Sequence, residues 1–154
     1  MIYIGCDPGL AGAFAALTPE GLLLRVMPTV RQGKRQALDE REIVNWLVQF
    51  PVCQTRIFIE LVASRPGQGV VQMFSFGASW GLVRGICAGM GFPYELVRPQ
   101  EWQGDLLKGQ PKGSEYLVAS RLWPNADWNS SSKRLREGQV DAALIAEHGR
   151  RRTS

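Results

Sequence analysis

The stretch Ile2-Tyr3-Ile4-Gly5-Cys6-Asp7-Pro8-Gly9-Leu10-Ala11-Gly12-Ala13-Phe14-Ala15-Ala16-Leu17 decides the fold. Ile2–Cys6 is a short apolar run with β-branched residues, stopped by Asp7-Pro8-Gly9; it reads as a buried strand entering a turn. Gly12–Leu17 is a second strand, and Thr18-Pro19-Glu20-Gly21 is a tight turn into a third, Leu22–Met27. Strands so closely spaced form an antiparallel three-stranded meander. Pro28–Arg35 is a basic loop, after which Asp39 and Glu42 form a D-x-x-E capping box. That box opens an amphipathic helix whose Ile43, Trp46, Leu47 and Phe50 face the core. Arg56–Leu61 is an apolar strand reached through a helical crossover, which makes it parallel to the first. Tyr94–Val97 is a fifth strand, and Pro99 starts a helix carrying Trp102 and Leu106. Lys108–Gly113 is a loop, Ser114 caps a helix through Trp123, and Asn125–Ser132 is a polar loop. Gly138–His148 closes the order β-β-β-α-β-α-β-α-α with Ala142, Ile145 and Ala146 turned inward. The expected fold is α/β: a five-stranded mixed sheet, three antiparallel strands then two parallel, flanked by helices.

With 154 residues, 45% of them apolar and 21% charged, the chain suits one globular domain, residues 1–149, followed by a basic tail, 150–154. Cys6, Cys53 and Cys87 form no CxxC pair and His148 is the single histidine. A disulfide scaffold and a zinc module are thereby excluded, and a reducing, cytoplasmic setting is expected. Met1 runs straight into Ile2-Tyr3-Ile4, so no targeting segment is visible. Residues 70–92 carry one charge, Arg84, and are long enough to span a bilayer. Gln72, Ser75 and Ser79 dilute that stretch and no second span follows, so no membrane partner is expected. Within it Gly77, Gly81, Gly85 and Gly89 share one helix face, against which another backbone can approach closely.

The net charge is +4, with cations gathered at Arg31–Arg35, Lys133–Arg136 and Arg150–Arg152. Such clusters are either the footprint of a nucleic-acid binder or a solvated face with a frayed tail. Against them stand four acids at telling places. Asp7 ends the first strand, Glu60 interrupts an apolar strand, and Glu137 and Asp141 are spaced by four on the last helix, hence on one face. A carboxylate within Arg56–Leu61 is costly to bury unless it is paired or holds a metal. If the first and fourth strands are neighbours, Asp7 and Glu60 lie side by side and the last helix brings the other two above them. Four carboxylates without histidine or thiolate make a hard-oxygen site suited to Mg²⁺ or Mn²⁺. Two such ions about 3.5–4 Å apart support in-line phosphodiester hydrolysis. Taken singly, Asp7 can instead start a turn, Glu137 complement a helix dipole and Asp141 mark a helix boundary.

At these residues the sequence resembles the RuvC-type Holliday junction resolvases of the RNase H-like nuclease superfamily, and is most similar to the small RuvC-like proteins of phages and prophages. The resemblance runs through IGCDPGLAGAFA (4–15), IELVASRPGQGVVQMFSFGASWGLVRGI (59–86), PQEW (99–102) and EGQVDAALIAEHGRR (137–151). It implies an RNase H-like fold, and a Mg²⁺-dependent endonuclease, with Mn²⁺ as substitute, that resolves four-way DNA by paired symmetric cuts leaving 5′-phosphate and 3′-hydroxyl ends. It makes Asp7, Glu60 and Asp141 metal ligands, with Glu137 as the fourth where the phage proteins carry Asp. Lys112 resembles a family lysine that contacts the scissile region. The place of the family's base-opening aromatic is held by Ala63, so Phe74 or Phe76 substitutes or the device is absent. A symmetric homodimer is implied, with the glycine-striped helix either as its contact or packed on its own sheet. Arg31, Lys34, Arg35, Arg65, Gln68, Lys108, Lys112, Lys133, Arg134 and Arg136 are the expected DNA contacts. No small-molecule substrate is expected, and no element resembles a base-reading recognition helix.

Other readings share the same acids. A different RNase H-like nuclease would cut RNA–DNA hybrids or flaps, and a non-catalytic module would bind junctions without metals. An actin-like or sugar-kinase ATPase opens with a similar Asp-x-Gly turn, but needs two such domains, for which 154 residues are too few. No Walker lysine motif is present.

Overall fold

A computed structural model describes residues 1–61, 67, 69–128 and 132–153. Its elements run β1 (Ile2–Asp7), β2 (Ala13–Thr18), β3 (Gly21–Val26), β4 (Thr29–Gln32), β5 (Arg35–Leu38), α1 (Glu40–Leu47), β6 (Thr55–Glu60), α2 (Val70–Gly89), β7 (Tyr94–Val97), α3 (Pro99–Leu106), α4 (Glu115–Leu122) and α5 (Lys133–Thr153), with a short 3₁₀ turn at Val52–Gln54. The main sheet has five strands in the order β3-β2-β1-β6-β7. β1 pairs antiparallel with β2 and parallel with β6, which pairs parallel with β7. The mixed sheet is as the sequence led one to expect.

Strand alternation sorts the core into two layers. Ile4, Cys6, Phe14, Ala16, Ile57 and Ile59 point to the face covered by α1 and α2, where Ile43, Leu47, Val83 and Cys87 meet them. The opposite face presents Ala13, Ala15 and Phe58, and over it lie α3, α4 and α5 through Trp102, Ala119, Ala143 and Leu144. The bulk is on one side and the small residues on the other, so α5 can lie close. Gly5 leaves no room for a Cβ, which would strike the Ala142 carbonyl and the Ala146 amide. Gly138 is equally pressed onto Ala11 and Gly12 of the β1–β2 turn, and Gly149 onto the Phe58 ring. The long α5 is therefore laid along β1 at backbone distance.

Several sequence-based expectations change. Pro28–Arg35 is not a loop: β4 and β5 form a separate hairpin, with Gln32 paired to Arg35 across a two-residue turn in which Gly33 takes φ +64°. Pro28 and Gly33 read as loop markers, but Pro28 precedes the hairpin and Gly33 makes its turn possible. α5 starts at Lys133, before Gly138, and runs past His148, so Arg150–Arg152 lie in its last turn. Gly138 is an interior glycine chosen for close approach rather than a helix start. Ser114 stands at the N-cap of α4, but its hydroxyl donates to the Pro111 carbonyl at 2.6 Å instead of capping. At α1 the Asp39 carboxylate does accept from the Glu42 amide, at 3.1 Å. The glycine stripe of α2 does not pack on its own sheet: a Cβ at Gly77, Gly81, Gly85 or Gly89 would meet nothing within 4 Å. Among the described residues no helix is long and apolar enough to cross a membrane.

Close approach predicts opposite effects for two glycine substitutions. Gly5→Ala should destabilise the protein by about 1–3 kcal/mol or more through overpacking against α5. Gly104→Ala, at an exposed site in α3 with open space around it, should stabilise by about 0.5–1 kcal/mol through helix propensity. Urea denaturation of the two variants beside the parent chain checks both signs.

Candidate active site

The ends of β1 and β6 place the first two acids. Cys6 pairs with Ile59, so Asp7 and Glu60 follow side by side at the carboxyl edge of adjacent parallel strands, on the face that α5 covers. The contacts of Gly5 with α5, and of Gly138 within α5 with the β1–β2 turn, then set Glu137 and Asp141 above that edge. Asp7, Glu60, Glu137 and Asp141 line one cavity of about 690 Å³, together with Gly9, Phe76, Ser79 and Arg134. Sequence reasoning brought these four together, and the structure does so too.

Each acid is held differently. Asp7 Oδ1 accepts from the Gly9 amide at 3.3 Å across the Pro8 turn. Its carboxyl is pushed above the usual range by burial, partly opposed by that amide and by the Arg134 charge. Asp141 is pushed up to about 8, first by burial and then by the charges of Asp7, Glu60, Glu115 and Glu137. Glu60 Oε1 accepts from Trp102 Nε1 at 3.1 Å, and its carbonyl accepts from Trp80 Nε1 at 3.2 Å. The two indoles thus brace the glutamate from α3 and α2. Arg84 stacks on Trp80 in turn, with its guanidinium carbon 4.3 Å from the ring centroid. Glu137 is exposed and ion-paired with Lys133 at 3.7 Å, a contact worth little in water.

The donor set is all oxygen, partly buried and mutually repelling, which suits a hard divalent cation rather than zinc. Among the described residues no three acidic, histidine or cysteine side chains are gathered closely enough to enclose an ion as they stand. The residues fit such a cation in chemistry, and the cavity gives it room.

The expected DNA contacts are spread over several places. Arg134 lines the acidic cavity, while Lys133 and Arg136 line a second cavity on the other side of α5. Arg35 lines a groove between the β4–β5 hairpin and α2, which shares Leu10, Val71, Ser75 and Ser79 with the acidic cavity. Arg31 and Lys34 belong to the same hairpin, all three being exposed. Phe74 is exposed on that groove, and Phe76 faces the acidic cavity beside Gly9. Lys108 and Lys112 sit in the loop between α3 and α4 and line none of these cavities, although Gly113, next in the chain, lines the second. Arg65, Gln68 and Ala63 lie outside the described residues. Trp80, Trp102, Gln72 and Ser75 are site residues the sequence reading missed as such. The tryptophan of PQEW was legible as core, but nothing in one sequence shows that its N–H meets Glu60.

At the far end of α5 the cations are internally used. Glu147 is 4% exposed. It accepts from both Arg150 and Arg151 at 2.8 Å. Burial alone would raise its carboxyl, but these two guanidiniums hold it below the usual range.

No protein-family model matches the chain, and no curated protein is similar to it in sequence. Among solved structures, one of Thermus thermophilus RuvC superposes on 99% of this chain and 96% of its own, with a TM-score of 0.63 at 16% identity. A second, T. thermophilus RuvC in complex with Holliday junction substrate, gives the same coverages with a TM-score of 0.64 at 12% identity. The chain has a RuvC-like fold. In it the RuvC-like sheet carries Asp7 and Glu60 at adjacent strand ends, and the last helix of the RuvC-like fold carries Asp141.

The Asp141 shift fixes a pH dependence. Between its ordinary value of 3.8 and about 8, the folded chain keeps a proton that the unfolded chain has released. This contribution of Asp141 to stability is therefore fully present below about pH 4 and is lost as pH rises towards 8. Denaturant midpoints in a chelating buffer should drop from pH 5 to pH 8, and Asp141→Asn should flatten that slope while stabilising the protein at pH 8. A slope unchanged in the variant would mean that another group sets it.

Proposed function

We propose that this protein is a divalent-metal-dependent endonuclease that resolves four-way DNA junctions, of the RuvC type and of its phage and prophage branch. The observation that carries the reading is the convergence of Asp7, Glu60, Glu137 and Asp141 on one cavity at the carboxyl edge of a RuvC-like sheet. The phage branch is read from the Pro-Gly-Gln-Gly turn sequence and the aromatic, glycine-rich segment behind Glu60. A RuvC relative in fold has been seen with Holliday junction substrate, which favours branched DNA over a hybrid or a flap.

In this reading Asp7, Glu60 and Asp141 hold Mg²⁺ or Mn²⁺, with Glu137 as the fourth ligand and two ions per site. Divalent ions held there supply a reactive water and stabilise charge on the leaving oxygen. The chain does the rest. Trp102 and Trp80 fix Glu60 so that its carboxylate does not have to be ordered when substrate arrives. Asp141, kept protonated by burial and by the acids around it, would have to release that proton for all four carboxylates to hold such an ion. Arg134, beside Asp7, meets a phosphate oxygen; Arg31, Lys34 and Arg35 on the hairpin, Lys133 and Arg136 on α5, Lys108 and Lys112 in the α3–α4 loop, and Arg65 and Gln68 hold flanking phosphates. Lys112 reaches the scissile region from the α3–α4 loop. Hydrolysis leaves 5′-phosphate and 3′-hydroxyl ends.

The partner is a second copy of the chain, since paired cuts across a two-fold junction need a two-fold enzyme. The open glycine face of α2 is the proposed contact. The setting is cytoplasmic, and residues 1–149 are read as a single domain followed by a basic segment, 150–154.

A gel assay on a synthetic four-way junction, with linear duplex, flap and RNA–DNA hybrid as controls, tests the reading. Symmetric paired nicks confined to the junction and requiring Mg²⁺ or Mn²⁺ are the expected result. Asp7→Asn and Asp141→Asn should abolish cleavage and leave junction binding equal or tighter, because each removes a charge that repels DNA. Cutting of the hybrid or flap instead would overturn the substrate, and tight junction binding without cutting in either metal would leave a binding module.

A further inference from the structure

The acids do not border one cavity alone. A second, of about 450 Å³, opens on the far side of α5's first turns, among α3, α4 and α5, and Glu137 and Asp141 belong to its wall as well. Helical period produces this arrangement. Arg134, Gly138 and Asp141 follow the stripe towards Asp7, whereas Lys133, Arg136 and Val140 follow the stripe towards α4, with Glu137 on the ridge between.

The chemistry there differs from that of the acidic cavity. Tyr116 of α4 is 49% exposed at its wall. The Arg136 guanidinium carbon lies 5.1 Å from its ring centroid. Trp128 meets the same ring edge-on, with centroids 6.5 Å apart, which fixes the ring's tilt. Lys133 adds an ammonium, Gln103 an amide with donor and acceptor, and Glu115 a further carboxylate. A braced aromatic, a stacked guanidinium and an amide are what a nucleobase and its phosphate require.

We propose that this cavity is a nucleotide subsite adjoining the acidic one, in which Tyr116, braced by Arg136, stacks a nucleobase while Lys133 and Arg136 hold its phosphate. It rests on the nuclease reading only for which polymer supplies the nucleotide. The subsite explains why an aromatic ring is left half in water beside three carboxylates.

A 5′-mononucleotide is the probe, because it has no internucleotide bond to cut and can be titrated with Mg²⁺ present. Two-dimensional NMR titrations of the full chain should shift the Trp128 indole signal together with α4 amides. Tyr116→Phe keeps the ring and should bind as the parent does. Tyr116→Leu and Arg136→Gln should each weaken binding about tenfold. Inorganic phosphate should not reproduce the Trp128 shift. Equal affinity in Tyr116→Leu and the parent, or a Trp128 shift given as well by phosphate alone, would overturn the subsite. Mg²⁺ should tighten binding by neutralising Glu137 and Asp141. Tyr116-dependent binding that ignores Mg²⁺ would count against the metal reading and leave the subsite standing.

Discussion

Everything at the carboxyl edge of the sheet depends on how closely α5 lies on β1. Two backbones touch there because Gly5 offers no side chain to the Ala142 carbonyl and Gly138 none to Ala11. A residue with a Cβ at either place would lift the helix, and Asp141 would leave the cavity floor on which Asp7 and Glu60 stand. The flat alanines of β2, Ala13 and Ala15, extend the same seat, while the bulk of Ile4, Phe14, Ile57 and Ile59 is sent to the opposite face. The sheet is thus asymmetric by composition: one side is filled by side chains, and the other is filled by a helix. Packing at this density transmits position with little slack, which is what a site built from two elements needs.

The same closeness creates an electrostatic cost. Asp7 and Asp141 are pushed up by burial, and Asp141 also by the other acids around it. This is a costly arrangement, relieved by a proton and, under the proposed reading, by a divalent ion. Arg134 relieves it only in part, since the guanidinium acts on Asp7 from the rim. Glu147 shows what a compensated acid looks like in this fold: two guanidiniums at 2.8 Å hold its carboxyl below the usual range. The contrast between the two ends of one helix separates structural charge pairing from a group left ready for a ligand.

Much of this was legible in the sequence because it rests on local patterns. The apolar run before Asp7-Pro8-Gly9, the charged residue inside Arg56–Leu61 and the four-residue spacing of Glu137 and Asp141 each carry their own physical meaning. What failed depended on distance. Gly33 breaks a strand in isolation, yet it is the turn that lets Gln32 find Arg35. Gly138 looks like a helix boundary until Ala11 is known to press on it. The glycines of α2 read equally as a contact for a second copy or as packing on the protomer's own sheet, and only the assembled fold shows that they face outward. The indole contacts to Glu60 reach across 20 and 42 residues, which no periodicity announces.

Under the proposed reading, a helix that carries acids on one stripe and cations on the next resolves a difficulty inherent in cutting a polyanion with carboxylates. Acids alone would keep DNA out, and cations alone would bind it with nothing to react. Setting Asp141 and Lys133 on successive stripes of α5, with Glu137 between them, keeps repulsion and attraction on one rigid element. Their balance then turns on what neutralises the acids. In that reading, protons or divalent ions in the cavity would let the surrounding cations prevail along a phosphate path over α5, which would otherwise be interrupted at the acids. Metal occupancy under the proposed reading therefore governs where the strand lies as well as whether it is cut, and the position of Gly138 against Ala11 is what keeps those two consequences tied to one turn of helix.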